Sequence, residues 1–503
     1  MMKRTEMHKV SGFLALFLML VPGVLHAQPL DDSPSARNFR TKIDSLFSHR
    51  CSRGARAGVK IVSLTTKKTL FEKNASQLFL PASNMKMLTT AAALRKLGPD
   101  FHFPTKVYGT SSVSKNTLKG DLFLKGFGDP FLVTERMWLL VNEIKNLPLD
   151  KIEGDLILDG SYFGGGLKVA SWKGYDGPEA YLAPLSALSF NFNTIAVHVA
   201  PGKRPGEAPI VVIDPATPYT RLEVSAVTRK NTRRGRLIVN RHHQEGQDVV
   251  TVAGSLPLNI GRKTYYLNIT HPLEYTGAVF KKMLGQAGVK VTGKVKVGIV
   301  PKGALELHEH KSLPFSDILQ GLNKYSNNFI AEQIVRTLAA REFGAPGTTE
   351  KGVELVRGYL KSLGFPENTF SIEDGSGLSR QNRLSPDQMI AVLKNVHGDW
   401  SVFPEFVSAM AIMGLDGTVE DRMVRVNRAH TIRTKTGTLN HVSSLSGYFQ
   451  SKDGEAFAFS ILMNGLKCSN GRAHRLQNSI LAEALKFSRK GDSPPENNKG
   501  NLN

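Results

Sequence analysis

The stretch PASNMKMLTTAAALRKLG, residues 81–98, places a serine hydroxyl and a lysine amine three positions apart. Residues at this spacing are neighbours on a helix surface, so Ser83 and Lys86 are expected to touch. A serine attacks a carbonyl efficiently only when a base takes its proton, and a neutral lysine amine can act as that base. The competing interpretation is that Ser83 only caps a helix, which is a common role for serine.

The residues around this pair predict a helix that begins beside Ser83. Pro81 precedes the run and Gly98 supplies a stop. Between them, apolar residues recur at helical spacing, namely Met87, Leu88, Ala91, Ala92, Leu94 and Leu97. The pattern therefore places the hydroxyl and the amine at the first turn.

Two further short patterns change the balance between these interpretations. KYSNN lies between two predicted helices and TIRTKTGTLN lies on a predicted strand. KYSNN contains Ser326, Asn327 and Asn328. TIRTKTGTLN contains Lys435, Thr436, Gly437 and Thr438. The order S-x-x-K, S-x-N, K-T-G is that of penicillin-binding proteins and class A β-lactamases. Each pattern alone arises by chance, but all three in order favour acyl transfer.

Acyl transfer assigns a role to the first two patterns. Ser83 is the candidate nucleophile and Lys86 the candidate base. Burial and a second cation, Lys435, would both lower the pKa of Lys86 and keep it neutral. Ser326 could relay a proton toward the leaving amine. Asn328 could hold a substrate amide, whereas Asn327 is expected to face away from the substrate.

The K-T-G strand is expected to lie along the substrate. Gly437 leaves room for a backbone to approach closely. Lys435, with Thr436 and Thr438, offers a cation and hydroxyls to a terminal carboxylate. The backbone amides of Ser83 and Thr438 would form the oxyanion hole. This chemistry requires no metal and no organic cofactor.

The first residues predict export from the cytoplasm. A basic start, an apolar run from Gly12 to Val24 and a small residue at Ala27 are typical of a cleaved secretory signal, residues 1–27. The apolar run is short for a membrane span, and no later segment reaches about 18 apolar residues. We therefore expect an exported, periplasmic protein that is soluble or peripheral once the signal has been removed.

The charge indicates an acidic neighbour. The formal net charge is +22, and it falls to about +20 without the signal. For an exported protein, an anionic membrane face or wall polymer suits this charge better than nucleic acid does. The densest basic cluster is RKNTRRGR, residues 229–236, for which a solvated loop is the favoured interpretation. The histidine pairs at 242–243 and 308–310 lack a helical metal-binding frame and are interpreted as surface residues.

The chain changes character twice along its length. With 503 residues it is expected to hold two or three domains. Hairpins are predicted at RAGVKIVSLTTKKTLFEKN and SSLSGYFQSKDGEAFAFSILMNG, and a final helix at HRLQNSILAEALKF. Short strands broken by Gly and Pro fill residues 99–303, which predicts a mostly-β insert of two domains within a discontinuous domain of residues 28–98 and 304–488. The tail, residues 489–503, is expected to be disordered.

Longer blocks resemble one family of exported enzymes. They include GDLFLKGFGDP, GDLILDGSYF, YLAPLSALSFNFN, EDGSGLSR, MGLDGTVEDR and RTKTGTLNHVSSLSGYF. The chain resembles the class C low-molecular-mass penicillin-binding proteins of the penicillin-binding protein 4 type, which are D-alanyl-D-alanine carboxypeptidases and endopeptidases. The 240 positions between Lys86 and Ser326 suit this class and are too many for a β-lactamase. Asn327 stands where the family often has Asp.

The resemblance implies a fold, an activity and partners. The fold is an α/β, β-lactamase/transpeptidase-like antiparallel sheet flanked by helices, with the insert forming extra domains. The activity is cleavage of peptidoglycan stem peptides or cross-links behind D-Ala, with β-lactam antibiotics as covalent inhibitors. The implied neighbourhood of the first and last strands predicts a disulfide between Cys51 and Cys468. Two alternatives stay open, namely a non-catalytic penicillin-binding wall sensor or structural protein, and a β-lactamase-like hydrolase.

Overall fold

The computed structural model describes residues 29–47, 55–230, 236–490 and 492. The predicted signal peptide, Cys51, the centre of the basic cluster and most of the predicted disordered tail lie outside the described residues. Within those ranges, no helix has the length and apolar composition needed to cross a bilayer.

The described chain contains ten α-helices. In chain order they are α1 (Pro34–Leu46), α2 (Met85–Leu97), α3 (Thr134–Lys145), α4 (Pro272–Gln286), α5 (Phe315–Asn323), α6 (Asn328–Phe343), α7 (Thr349–Ser362), α8 (Pro386–His397), α9 (Phe403–Ser408) and α10 (Asn470–Leu485). The helix predicted beside Ser83 is α2, and it ends at Gly98, whose φ of 82° is the left-handed conformation that favours glycine.

The described chain contains 22 strands, many of them short. They are β1 (Arg56–Ser63), β2 (Thr69–Lys73), β3 (Pro104–Gly109), β4 (Val113–Ser114), β5 (Thr117–Leu118), β6 (Leu122–Gly126), β7 (Lys151–Ile152), β8 (Leu156–Asp159), β9 (Thr194–Ala200), β10 (Ile210–Asp214), β11 (Thr220–Val224), β12 (Val227–Arg229), β13 (Leu237–Gln244), β14 (Gln247–Pro257), β15 (Lys263–Asn268), β16 (Lys290–Val291), β17 (Val295–Val297), β18 (Leu305–Lys311), β19 (Ala411–Ile412), β20 (Arg433–Leu439), β21 (Val442–Gln450) and β22 (Ala456–Asn464).

A six-stranded antiparallel sheet brings the two ends of the sequence together. Its order is β19-β20-β21-β22-β1-β2, so the predicted N-terminal and C-terminal hairpins lie side by side. The first strand pairs with the last, with Arg56 opposite Asn464 and Ser63 opposite Phe457. The predicted antiparallel neighbourhood of these strands is confirmed. The disulfide stays a prediction, since Cys51 lies outside the described residues.

Alternation along the strands buries both faces of this sheet. In β22, Phe457, Phe459 and Ile461 pack into a core that includes residues of α1 and α10. Ala458 and Leu462, which point the other way, pack into a second core with residues of α2, α6 and α8. The sheet is therefore the middle layer between two layers of helices, which confirms the predicted fold class.

The insert forms several smaller sheets around a core of its own. The sheet orders are β17-β8-β6-β3-β18, β16-β7-β5-β4 and β10-β9-β15, with β11, β12 and β13 arranged around β14. One buried apolar cluster runs through the insert from Val107 to Val289. Because β18 pairs with β3, this β-rich part extends past the predicted border at residue 303 to Lys311. Its division into two domains stays a prediction.

Candidate active site

Ser83 lies on a tight turn that leads into α2. The turn is one 3-10 segment, Ala82–Asn84, and the helix begins at the next residue. From Pro81 to Leu94 every residue is buried except Ser83, which is partly exposed. The capping positions are Pro81 for the turn and Asn84 for α2, and neither makes a side-chain capping bond. Ser83 is thus presented to solvent by a buried segment, and the interpretation of Ser83 as a helix cap is wrong.

Side chains of the sheet fix this turn in place. The Ser444 hydroxyl donates to the Pro81 carbonyl at 2.6 Å. The Asn84 amide donates to the Lys435 carbonyl at 2.8 Å and accepts from the Ser446 hydroxyl at 2.6 Å. All of these bonds are buried, where a hydrogen bond is strong and an unmade one is costly. The position of Ser83 relative to β20 and β21 is therefore rigidly determined.

Gly437 of the K-T-G pattern is the point where β20 touches the serine turn. A Cβ at this position would stand 2.2 Å from Ser444 Oγ and 2.9 Å from both Pro81 O and Ser83 N. The sequence predicted a glycine that makes room for a substrate backbone. In the structure, the backbone that requires this room is that of the turn that carries Ser83.

Lys86 reaches three oxygen atoms from α2. Its Nζ lies 3.0 Å from Ser83 Oγ, 2.7 Å from Asn328 Oδ1 and 2.6 Å from the Ser376 carbonyl oxygen. The side chain is fully buried. The predicted contact between the serine and the lysine is therefore present in the geometry, together with two partners for the amine.

These partners determine how a neutral amine must be oriented. A neutral lysine has two N–H donors and one lone pair, and a carbonyl oxygen can only accept. The Asn328 oxygen faces Lys86, because the Asn328 NH₂ donates to the Tyr181 carbonyl at 3.1 Å. Asn328 and the Ser376 carbonyl therefore take both N–H groups. The lone pair of Lys86 is left facing the hydroxyl of Ser83.

Burial favours this neutral state. It lowers the pKa of Lys86 from 10.5 to about 7, against the opposing effect of the Asp374 and Glu332 carboxylates. Lys435, the predicted second cation, has its own pKa lowered as well. Burial first, and then the charge of Lys86, hold the pKa of Lys435 well below its ordinary value. Two buried ammonium groups are costly side by side, so this pair resists full protonation.

The S-x-N pattern occupies the junction of α5 and α6. Ser326 has a left-handed φ of 60°, which is uncommon for serine, and it is half-buried. Asn327 caps α6, since its side chain accepts from the Ile330 N–H at 3.1 Å. Asn328 is the first residue of the helix and faces Lys86. Asn327 is therefore structural, in agreement with the expectation that it faces away.

Comparison with known proteins identifies the family. The model of the D-Ala-D-Ala carboxypeptidase 3 (S13) family matches residues 39–485. The chain belongs to this family. A D-alanyl-D-alanine carboxypeptidase of an Actinomadura species is 33% identical over 460 residues, which are 88% of this chain and 84% of that one.

A solved structure shares the architecture as well. Penicillin-binding protein 4 of Haemophilus influenzae superposes with a TM-score of 0.77 at 26% identity, over 88% of this chain and 99% of that one. The same protein in complex with a β-lactam gives a TM-score of 0.73 at 25% identity, with the same coverage. The chain is therefore a serine peptidase of this family, and the predicted family is confirmed.

The rest of the K-T-G strand lines the candidate site from β20. The Lys435 amine is buried and donates to the Thr436 carbonyl at 2.9 Å. The Thr436 hydroxyl lies 2.7 Å from that of Thr418, a residue that the sequence interpretation did not single out. Thr438 is exposed. The strand that was predicted to receive a substrate carboxylate thus carries the Thr436 hydroxyl, and the Thr418 hydroxyl from the 3-10 segment Gly417–Val419 stands beside it.

A buried acidic loop behind Lys86 was not among the site residues that the sequence predicted. Asp374 is fully buried and receives hydrogen bonds from five donors. They are the backbone N–H groups of Gly377 and Ser379 and the side chains of Asn382, Trp172 and Ser376. The loop supplies the Ser376 carbonyl to Lys86. Its sequence, EDGSGLSR, was noted only as part of the family resemblance.

The described residues contain no group of three or more His, Cys, Asp and Glu side chains that is arranged to hold a metal ion. The paired histidines have other partners. His308 and His310 both face Glu143, at 2.8 and 2.7 Å. His243 faces the buried carboxylate of Asp248 at 3.1 Å. His310 is thus a buried residue and not the surface residue that was predicted, since it is 1% exposed.

Proposed function

We propose that the protein cleaves D-Ala-D-Ala peptides through an acyl-enzyme on Ser83. The observation that supports this most directly is the set of three contacts of Lys86, which leaves the amine lone pair facing the serine hydroxyl. Lys86 takes the hydroxyl proton as Ser83 Oγ bonds to the carbonyl carbon of the peptide. The C–N bond to the terminal D-Ala then breaks, and water later hydrolyses the ester.

The remaining protons and charges are assigned to the other two patterns. Ser326, two positions before Asn328 and just ahead of α6, passes a proton toward the leaving amine. Asn328 orients Lys86 and holds a substrate amide. The backbone amides of Ser83 and Thr438 stabilise the oxyanion, since Ser83 N lies against Gly437 and Thr438 is the next residue of β20. Lys435, Thr436 and Thr438 receive the terminal carboxylate of the peptide.

The same serine is proposed to react with penicillin. A β-lactam presents a strained amide to the same nucleophile, and the acyl-enzyme forms without loss of a leaving group. The Haemophilus relative has been solved in complex with a β-lactam, and this chain aligns with 99% of that protein. Acylation of Ser83 by a β-lactam is therefore an accessible test of the nucleophile.

Export and contact with an anionic surface complete the proposal. A peptidase of the bacterial wall must reach its polymer, and the first 27 residues have the pattern of a cleaved secretory signal. The periplasm is the compartment that fits. The net charge of +22 favours peripheral contact with anionic lipid or wall polymer, through basic residues that include Arg229 and Lys230.

Digestion of purified muropeptides tests this function. The purified protein is incubated with uncross-linked pentapeptide muropeptides and with cross-linked dimers, and Ser83→Ala serves as the control. Release of D-Ala from the first substrate establishes carboxypeptidase action, and monomers from the second establish endopeptidase action. A protein that binds penicillin but cleaves neither substrate would be a sensor. Rapid turnover of penicillin without peptide cleavage would indicate a β-lactamase.

A further inference from the structure

A second buried acid lies behind Lys86 and has no part in the proposed mechanism so far. Glu332 is on α6, one turn after Asn328, and its side chain is fully buried. Its Oε1 accepts a hydrogen bond from the backbone N–H of Ser376 at 2.8 Å. Its Oε2 is buried and makes no hydrogen bond within the described residues, while the N–H groups of Gly375 and Ser376 both favour the ionised carboxyl. A buried carboxyl with an unpaired oxygen destabilises the fold. Its presence beside Lys86 therefore points to a role other than stability.

Ser376 connects this acid to the base. Its N–H donates to Glu332, while its carbonyl accepts from Lys86 Nζ at 2.6 Å. Asp374 holds other parts of the loop, namely the Ser376 hydroxyl and the N–H groups of Gly377 and Ser379. The main chain of Ser376 is therefore anchored to α6 by Glu332 on one side and to α2 by Lys86 on the other.

We propose that Glu332 is a positioning residue for the serine–lysine pair. By holding the N–H of Ser376, it directs the Ser376 carbonyl at Lys86. That carbonyl then takes one of the two N–H groups of the neutral amine, and the lone pair stays aimed at Ser83. The inference rests on the proposed Ser83 acyl-enzyme and adds a residue that touches neither substrate nor nucleophile.

The charges around Glu332 come from four elements. Lys86 faces it from α2, Arg336 from the next turn of α6, Asp374 from the loop, and Lys435 stands beyond Lys86 on β20. Burial, and after it the charge of Asp374, raise the pKa of Glu332 to about 7. Either form of the carboxyl offers an oxygen to the Ser376 N–H. The ionised form also raises the pKa of Lys86, so charge and positioning can be separated by substitution.

Two substitutions at this site and one beside it test the proposal. Glu332→Gln keeps an oxygen acceptor for Ser376 and removes the charge, whereas Glu332→Met keeps the size and removes the acceptor. Gln333→Met is the matched control. Gln333 is equally buried on the same helix, and its side chain donates to the Ser186 carbonyl and not to Ser376. The second-order rate of acylation by a β-lactam is measured from about pH 5 to about pH 10 for each protein. Each profile gives a plateau rate at high pH and an acid limb, which is the range where the rate falls as the pH is lowered.

We expect the two variants to change different parts of the pH–rate profile, one the plateau and the other the acid limb. Glu332→Met should lower the plateau rate about 10- to 100-fold, because a hydrogen bond to a carboxyl that orients the base is lost. Glu332→Gln should keep the plateau within about threefold of wild type, and its acid limb should move to lower pH, since a charge that raises the pKa of Lys86 is gone. Gln333→Met should change neither the plateau nor the limb.

Three results would overturn the proposal. One is a plateau rate for Glu332→Met that equals that of the Gln333→Met control. Another is an equal loss of plateau rate in Glu332→Gln and Glu332→Met, which would assign the role to the charge and not to the acceptor. The third applies if Glu332→Met does not fold, and it is a plateau rate of Glu332→Gln more than about tenfold below that of wild type, although the acceptor for Ser376 is kept. Absence of acylation in the wild-type protein would refute the proposed function instead.

Discussion

Replacing Gly437 by alanine should separate the nucleophile from its oxyanion hole without unfolding the protein. The added Cβ would stand 2.9 Å from Ser83 N and from Pro81 O, whereas an ordinary contact begins at 3.4 Å. The turn and β20 must therefore move apart by about 0.5 Å. Ser444 Oγ, at 2.2 Å, would also have to rotate away from the Pro81 carbonyl, to which it donates.

This displacement acts on atoms that must be placed accurately. A misplacement on the order of 1 Å can cost about 100-fold in rate, and the loss of one oxyanion donor costs at least as much. We therefore expect Gly437→Ala to slow β-lactam acylation about 10- to 100-fold. The overpacked contact should lower the free energy of unfolding by about 1–3 kcal/mol, which a protein of this size tolerates.

The assay compares acylation rate and stability in the same preparations. The second-order rate of β-lactam acylation is followed by intact mass, and the free energy of unfolding is measured by urea denaturation. Gly471→Ala in α10 is the matched control, because a Cβ there meets nothing within 4 Å. If Gly437→Ala is acylated as fast as Gly471→Ala, the contact between β20 and the serine turn does not control the position of the nucleophile.

Three further predictions follow from the same geometry. The rate of acylation of the wild-type protein should fall about tenfold per pH unit below about pH 7, because protonated Lys86 has no lone pair for Ser83. A rate independent of pH in this range would contradict the assignment of Lys86 as the base. Asn328→Asp should shift the acid limb of the pH–rate profile upward by about one to three pH units, since a carboxylate 2.7 Å from the amine raises the pKa of Lys86. An unshifted limb would be inconsistent with the contact between residue 328 and Lys86. Asn327→Ala should lower the free energy of unfolding by about 1 kcal/mol through loss of the α6 cap, whereas Asn327→Asp keeps a capping oxygen and should stay close to wild type. Equal stability of the two variants in urea denaturation would argue against a capping role for Asn327.

Several elements in and around the candidate site could be predicted from the sequence because local signals determine them. Helical periodicity ending at Gly98 predicts α2, and alternation with a polar turn predicts the β21–β22 hairpin. The pairing of β1 with β22 depends on contacts between residues about 400 positions apart, and it was inferred only through the family resemblance. Local propensity contains no information on such pairings.

The surroundings of Lys86 could not be read from spacing for a similar reason. Glu332 looks like an ordinary polar residue of a helix, and its burial follows from helices packing around α6. The orientation of the Asn328 amide depends on the Tyr181 carbonyl, which the insert supplies. The role of Gly437 depends on the approach of the serine turn. Each of these features arises from tertiary contacts across hundreds of residues.

The proposed function depends above all on acylation of Ser83. Intact-mass analysis of the purified protein after incubation with penicillin tests this directly, with wild type and Ser83→Ala compared in parallel. We expect the mass of the wild type to increase by that of one penicillin and the mass of the variant to stay unchanged. An adduct on Ser83→Ala, or no adduct on a folded wild-type protein, would contradict the proposed function.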